Sequence, residues 1–211
     1  MSVTCQIKNY NSLKQQLEEM KKAPKAVMKA TTSDAKKRAP GWVATEVAKV
    51  YGVKKGEITG GKLGTVKVKG KSFDQVKIEY TGRVLTPTHF SMKPTTPGSG
   101  SYTLKATIIK GQRATLGKVK KLTKKQRAAL GKNFHRQGTR TSDHSPVMLM
   151  RTGGTYIPFQ RKSFERKDVE AIKTLSMPQM VSSDRAHDGI QNAINEGLGK
   201  RLDHHMKRFM G

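Results

Sequence analysis

The segment GKVKKLTKKQRAALGKNFHRQGTR, running from Gly117 to Arg140, holds nine Lys or Arg side chains and no carboxylate. Lys118, Lys120, Lys121, Lys124, Lys125, Arg127, Lys132, Arg136 and Arg140 are of a type and spacing that suit a polyanion. Each cation set against a phosphate releases counterions, a gain that needs no particular base sequence. Phe134 is the lone aromatic of the run, which argues against base stacking on single strands. The same run also fits a solvated loop or an arm laid on an acidic neighbour, and charge alone leaves these three open.

Other chemistry finds less support. His135 with Asp143 and His144 is the kind of set that metal-dependent nucleases use, but the flanking elements of such a motif are missing. His204 and His205 are adjacent, so on a helix their side chains point about a quarter-turn apart and do not chelate from one face. GGKLGT and GQRATLGK lack the Gly-Lys-Ser/Thr ending of a phosphate-binding loop. No Ser, His and Asp order implies a nucleophile elbow. Cys5 is the single cysteine, which excludes an internal disulfide and a Cys-based zinc site. The expectation is a protein with no catalytic residue, no metal and no cofactor.

The balance of charge sets the wider frame. Lys plus Arg number 42 against 15 Asp plus Glu, a net +27 over 211 residues. Such an excess repels itself unless nucleic acid, anionic lipid or an acidic protein supplies counter-charge. Lipid is the weakest choice, since no apolar run approaches membrane-spanning length. The N-terminus MSVTCQIKNYNSLKQQLEEM lacks the long apolar centre of a signal peptide, which predicts a cytoplasmic origin. Between Tyr80 and Ser142 there is no acid at all, while Arg83, Lys93, Lys105, Lys110, Arg113 and the opening run are basic. With 34% hydrophobic residues and a mean hydropathy of -0.66, the core must be lean.

The elements that carry these residues follow from periodicity. Residues 1–52 read as helical: Ser12 and Gln15 fit a capping box, with Leu13, Leu17 and Met20 on one face. Pro24 and Pro40-Gly41 mark breaks, and Trp42, Val43, Val47 and Val50 resume the period before Gly52 stops it. Residues 53–181 read as an antiparallel sheet region. GTVKVKG, FDQVKIEYTGRVL and SYTLKATIIKG alternate apolar with polar, and TPTHFSMKPTTPGSG is an irregular link. SPVMLMRTGGTYIPFQRK predicts a hairpin turning at Gly153-Gly154. A basic excursion, about 111–142, interrupts this sheet.

Residues 182–211 form the clearest helix. Ser183 is its N-cap, Ala186, Ile190, Ala193, Ile194, Leu198, Leu202 and Met206 make an apolar stripe, and Glu196 pairs with Lys200. Gly197 and Gly199 either weaken it or permit a close approach. The predicted fold class is α+β, one structural domain with helices at both ends of a central antiparallel sheet.

The order GRVLTPTHF, a Lys-rich strand, MLMRTGGTYIPFQRKSF, then LSMPQMVSSDRAHDGIQNAINEGLGKRLDHHMKR resembles the prophage minor tail protein Z family of tailed phages. GWVATEVAKVYGVKKGEI fits the family's usual opening, and the likeness runs from about Ala39 to the end. The resemblance implies a virion structural protein, a tail-completion or neck component assembled in the host cytoplasm. It implies a homo-oligomeric, hexameric ring around the packaged double-stranded DNA, beside tail terminator, tail tube and head-tail connector proteins. Arg161, Lys162, Arg166 and Lys167 are interleaved with Phe159 and Phe164 as in some nucleic-acid surfaces, whereas the resemblance implies an edge strand finishing the sheet. SMPQMV, from Ser176, is either a docking motif or a packed turn that aims the last helix. Met177, Pro178, Met180, Ile190, Ile194, Leu198 and Leu202 are the candidate subunit contacts. The rivals are a monomeric basic nucleic-acid-binding protein and a metal-dependent nuclease.

Overall fold

The computed structural model describes residues 24–69, 77–119, 147–161 and 169–210. The fold is α+β, with a helix before the strands and a helix after them. The chain divides into two compact units, Met1–Val84 with Leu175–Gly211, and Leu85–Thr174. The second unit is an insertion between two parts of the first.

The first unit is built on two long helices, α1 (Pro24–Val50) and, at the end of the chain, a helix Asp184–Met210. Along α1 every fourth residue from Val27 through Thr31, Ala35, Ala39 and Val43 to Val47 is buried. The terminal helix answers with Ala186, Ile190, Ile194, Leu198 and Leu202, again four apart. Rows of residues four apart form the ridges by which helices interlock. Burying each Val, Ile or Leu contributes about 1.5–3 kcal/mol.

The expected break at Pro40 does not occur, for α1 runs through it. Proline deprives the helix of one N–H and crowds the preceding turn, a cost of about 3 kcal/mol. Ala35 and Ala39 before it, and Val43, Ala44 and Val47 after it, are buried on a continuous stripe. Packing of both halves on the same partner outweighs the local penalty. The earlier residues Ser12, Leu13, Gln15, Leu17 and Met20 lie outside the described residues.

The two helices are antiparallel, and a series of contacts along them fixes their register. Asp34 Oδ2 lies 3.2 Å from Nε2 of the buried His205 and 3.8 Å from the Arg201 guanidinium. A Cβ on Gly197 would stand 2.6 Å from the Trp42 ring, and one on Gly189 would stand 3.1 Å from the Glu46 carboxylate. Tyr51, just past α1, donates its hydroxyl to Ser183 Oγ at 2.7 Å. Ser183 does directly precede the terminal helix, but its own hydroxyl donates to the Met180 carbonyl at 2.9 Å.

Between the long helices come α2 (Lys55–Thr59), the antiparallel pair β1 (Thr65–Lys69) and β2 (Lys77–Thr81), and, after the inserted unit, α3 (Met177–Val181). The terminal helix is α4. Ile78 and Tyr80 of β2 are buried, while Lys67, Lys69 and Thr65 of β1 face solvent. Ser176 and Gln179 close a capping box on α3, and Pro178 sits in its first turn, where a missing N–H costs nothing. SMPQMV is thus a packed turn leading into α4.

The second unit contains two further sheets. β3 (Tyr102–Ala106) pairs with β4 (Ala114–Val119), and β5 (Val147–Thr152), β6 (Thr155–Arg161) and β7 (Val169–Ala171) form a three-stranded antiparallel sheet. The expected single central sheet is therefore three small ones among the described residues. Gly153 and Gly154, with φ of 56° and 87°, make the predicted tight turn between β5 and β6. A short 3-10 turn, Pro87–Phe90, delivers Phe90 and Met92 to a core with Leu85, Leu104, Ala106 and Val147. The unit closes where Thr174 donates both its amide (2.8 Å) and its hydroxyl (2.9 Å) to the Leu85 carbonyl.

Candidate polyanion-binding face

Strand alternation sorts β3 into two faces. Leu104 and Ala106 are buried, whereas Thr103 and Lys105 are exposed on the other side. Residues directly opposite in an antiparallel pair share a face, and Lys118 of β4 stands opposite Thr103. Lys118 is therefore on the same exposed face as Lys105.

The register shifts between Leu104 and Lys105, since Leu104 faces Gly117 and Lys105 faces Thr115. Leu116 is the extra residue of this bulge, and such a bulge re-aims the strand beyond it. Gly117 makes the arrangement possible. Its φ is +151°, a region that L side chains rarely adopt, and a Cβ there would fall 2.4 Å from Val147 Cγ2.

The other edge of β3 carries the decisive contact. Lys93 and Lys105 exchange both backbone bonds, the Lys93 amide donating to the Lys105 carbonyl at 2.8 Å and the reverse at 2.9 Å. Two like charges thus stand directly opposite one another on one face. That arrangement costs on the order of 0.2–1 kcal/mol, and no described residue forms an ion pair with Lys93, Lys105, Arg113 or Lys118. Arg113 reaches the same place from the turn before β4. Beside the pair lies an open groove of about 450 Å³ lined by Lys93, Lys105 and Arg113 with Thr95, Thr96 and Thr103. Three cations and three hydroxyls, with no carboxylate, form a cradle of hydrogen-bond donors for an oxyanion.

Of the cations from Lys118 to Arg140, Lys118 alone lies among the described residues, and it is exposed. Lys120, Lys121, Lys124, Lys125, Arg127, Lys132, Arg136 and Arg140 lie outside them, as do His135, Asp143 and His144. The described part of the site, Lys93, Lys105 and Arg113, was basic in the sequence but had no marker of convergence. Lys93 arrives from a Pro- and Thr-rich link whose path no periodicity reveals.

The candidate subunit contacts require correction. Met177, Pro178, Met180, Ile190, Ile194, Leu198 and Leu202 are all buried within this chain. Their apolar surface is spent on the chain's own core and is not offered to a neighbour. Among the described residues, the large apolar side chains that remain exposed are Val84, Met150 and Phe209. His204 is exposed while His205 is buried, their rings meeting edge-on at 5.3 Å. No group of three metal-ligating side chains occurs among the described residues, and none of the described helices is long and apolar enough to cross a membrane.

Comparison with protein-family models, with curated proteins and with solved structures yields no match.

Proposed function

We propose that this chain is a non-enzymatic structural protein of a tailed-phage virion, a tail-completion or neck component. In this reading identical copies, six in number, form a ring around the DNA path at the head-proximal end of the tail. Tail terminator, tail tube and connector proteins are the neighbours, and contact with the duplex is non-specific so that the genome can slide. The place in the virion comes from the ordered segments that resemble minor tail protein Z. The observation that carries the partner is the acid-free span from Tyr80 to Ser142, of which Lys93, Lys105, Arg113 and Lys118 stand exposed on the second unit with no ion pair to a described residue. A surface kept in that state gains from a polyanion what it lacks from its own chain.

The test combines mass photometry of the purified chain with complementation of phage assembly. Wild-type protein is expected to form a single closed oligomer and to restore joined heads and tails. Deletion of residues 120–140, which begins beyond β4, is expected to preserve helical circular dichroism while reducing infectious particles at least tenfold. A chain that stays monomeric at every concentration and binds free duplex tightly would favour the nucleic-acid-binding rival instead.

A further inference from the structure

We propose that the groove of Lys93, Lys105 and Arg113 is a phosphodiester seat, which takes consecutive backbone phosphates of double-stranded DNA without reading its bases. This rests on the reading of duplex DNA as the partner, and it assigns the contact to residues outside the Lys-rich run.

The seat is specified by backbone geometry. Lys93 and Lys105 are locked opposite one another by two hydrogen bonds, so their ammonium groups start from adjacent positions on one face. Their repulsion has no carboxylate to offset it among the described residues. A bound anion converts that repulsion into two attractions. Arg113 adds a planar fork of donors suited to phosphate oxygens, and Thr95, Thr96 and Thr103 add hydroxyls.

A lone carboxylate is a poor match for this set. One bidentate arginine satisfies a carboxylate, whereas here three cations line a groove of about 450 Å³. The charge also continues beyond the groove. Lys118 shares the exposed face of the β3–β4 sheet. A partner with negative charge repeated along its length fits such a row. A phosphate backbone has that regularity, while acidic side chains on a folded protein do not. No tyrosine, phenylalanine or tryptophan lines the groove, so the recognition is of backbone and not of stacked bases.

The experiment measures duplex binding by fluorescence anisotropy as a function of salt, using the full chain and a 5′-labelled double-stranded oligonucleotide of random sequence. Three neutralised phosphate contacts correspond to a loss of about 2.7 from the log K against log salt slope. The triple variant K93Q/K105Q/R113Q is expected to show that loss and to keep or raise its Tm, because the like-charge pair is relieved. The control K54Q/K55Q/K62Q removes the same net charge from exposed lysines of the first unit and is expected to retain the wild-type slope. Equal slope changes in both variants would reduce the effect to net charge and overturn the seat, as would an unchanged slope in the triple variant.

Poly-glutamate is titrated in parallel. Tighter binding of poly-glutamate than of duplex, lost in the triple variant, would replace the phosphate partner with an acidic protein. The oligomeric state is read on the same samples, so a failed ring assignment is distinguished from a failed groove.

Discussion

Gly197 and Gly199 look alike in the sequence, yet their surroundings differ. A methyl at Gly197 would enter the Trp42 ring at 2.6 Å, whereas at Gly199 it would meet nothing within 4 Å. Replacing glycine by alanine inside a helix contributes about 1 kcal/mol through backbone entropy. At Gly199 that gain is unopposed, so Gly199→Ala is expected to raise stability by roughly 0.5–1 kcal/mol. At Gly197 the ring, held between helices, has to move, and overpacking costs about 1–3 kcal/mol. Gly197→Ala is therefore expected to be net destabilising, with urea midpoints of the two variants moving in opposite directions. His205 makes a similar point about neighbours. Adjacent to the exposed His204, it is buried against Asp34, and no described residue hydrogen-bonds its Nδ1.

At the scale of elements, periodicity located most of the fold. The four-residue stripe of α4, the turn at Gly153-Gly154 and the alternation of β3 were all readable, because each is a local pattern that burial enforces. Two features were not. Pro40 signals a break, but the stripe on both sides of it packs against a helix about 150 residues further along the chain, and no local rule weighs that contact. The Lys93–Lys105 pairing joins a loop to a strand, so it too is a long-range fact without a local trace. The β1–β2 hairpin offers an element-scale test in its charges. The Lys69 ammonium, 2.7 Å from Glu79 and hydrogen-bonded to it, holds that carboxyl below its usual range, with Lys77 helping and desolvation opposing. A lowered folded-state pKa gives stability that is present above the unfolded value and lost as pH falls through the folded one. Amide protection factors of β1 and β2, taken against the intrinsic exchange rate at each pH, are therefore expected to fall on acidification below the ordinary carboxylate range. Lys69→Gln is expected to weaken that dependence. A hairpin whose protection is equal at neutral and strongly acid pH would contradict the assignment. The pair is exposed, so the effect is confined to the hairpin and is screened by salt.

At the scale of the whole molecule, charge and topology divide the work. The first unit holds both long helices and, among the described residues, most of the large buried side chains, such as Ile58, Leu63, Tyr80, Met180 and Leu202. The second holds the groove and is threaded in as one uninterrupted insertion, Leu85–Thr174. The first unit's own chain ends at the point of insertion are already paired, since Val84 forms an antiparallel bridge with Ser176. Bringing together ends that are already adjacent costs little, because loop-closure entropy grows only slowly with length and a short link spans a β-bridge. Replacing residues 85–174 by a four-residue Gly/Ser linker is therefore expected to leave a chain that folds. Its core contacts, α1 on α4 and Tyr51 on Ser183, all lie within the first unit. Helical circular dichroism with a single cooperative urea transition is the expected result, together with loss of the salt-dependent duplex binding proposed for the excised face. A molten, non-cooperative product would mean that the insertion completes the core of the unit that carries it, and that the two units fold as one.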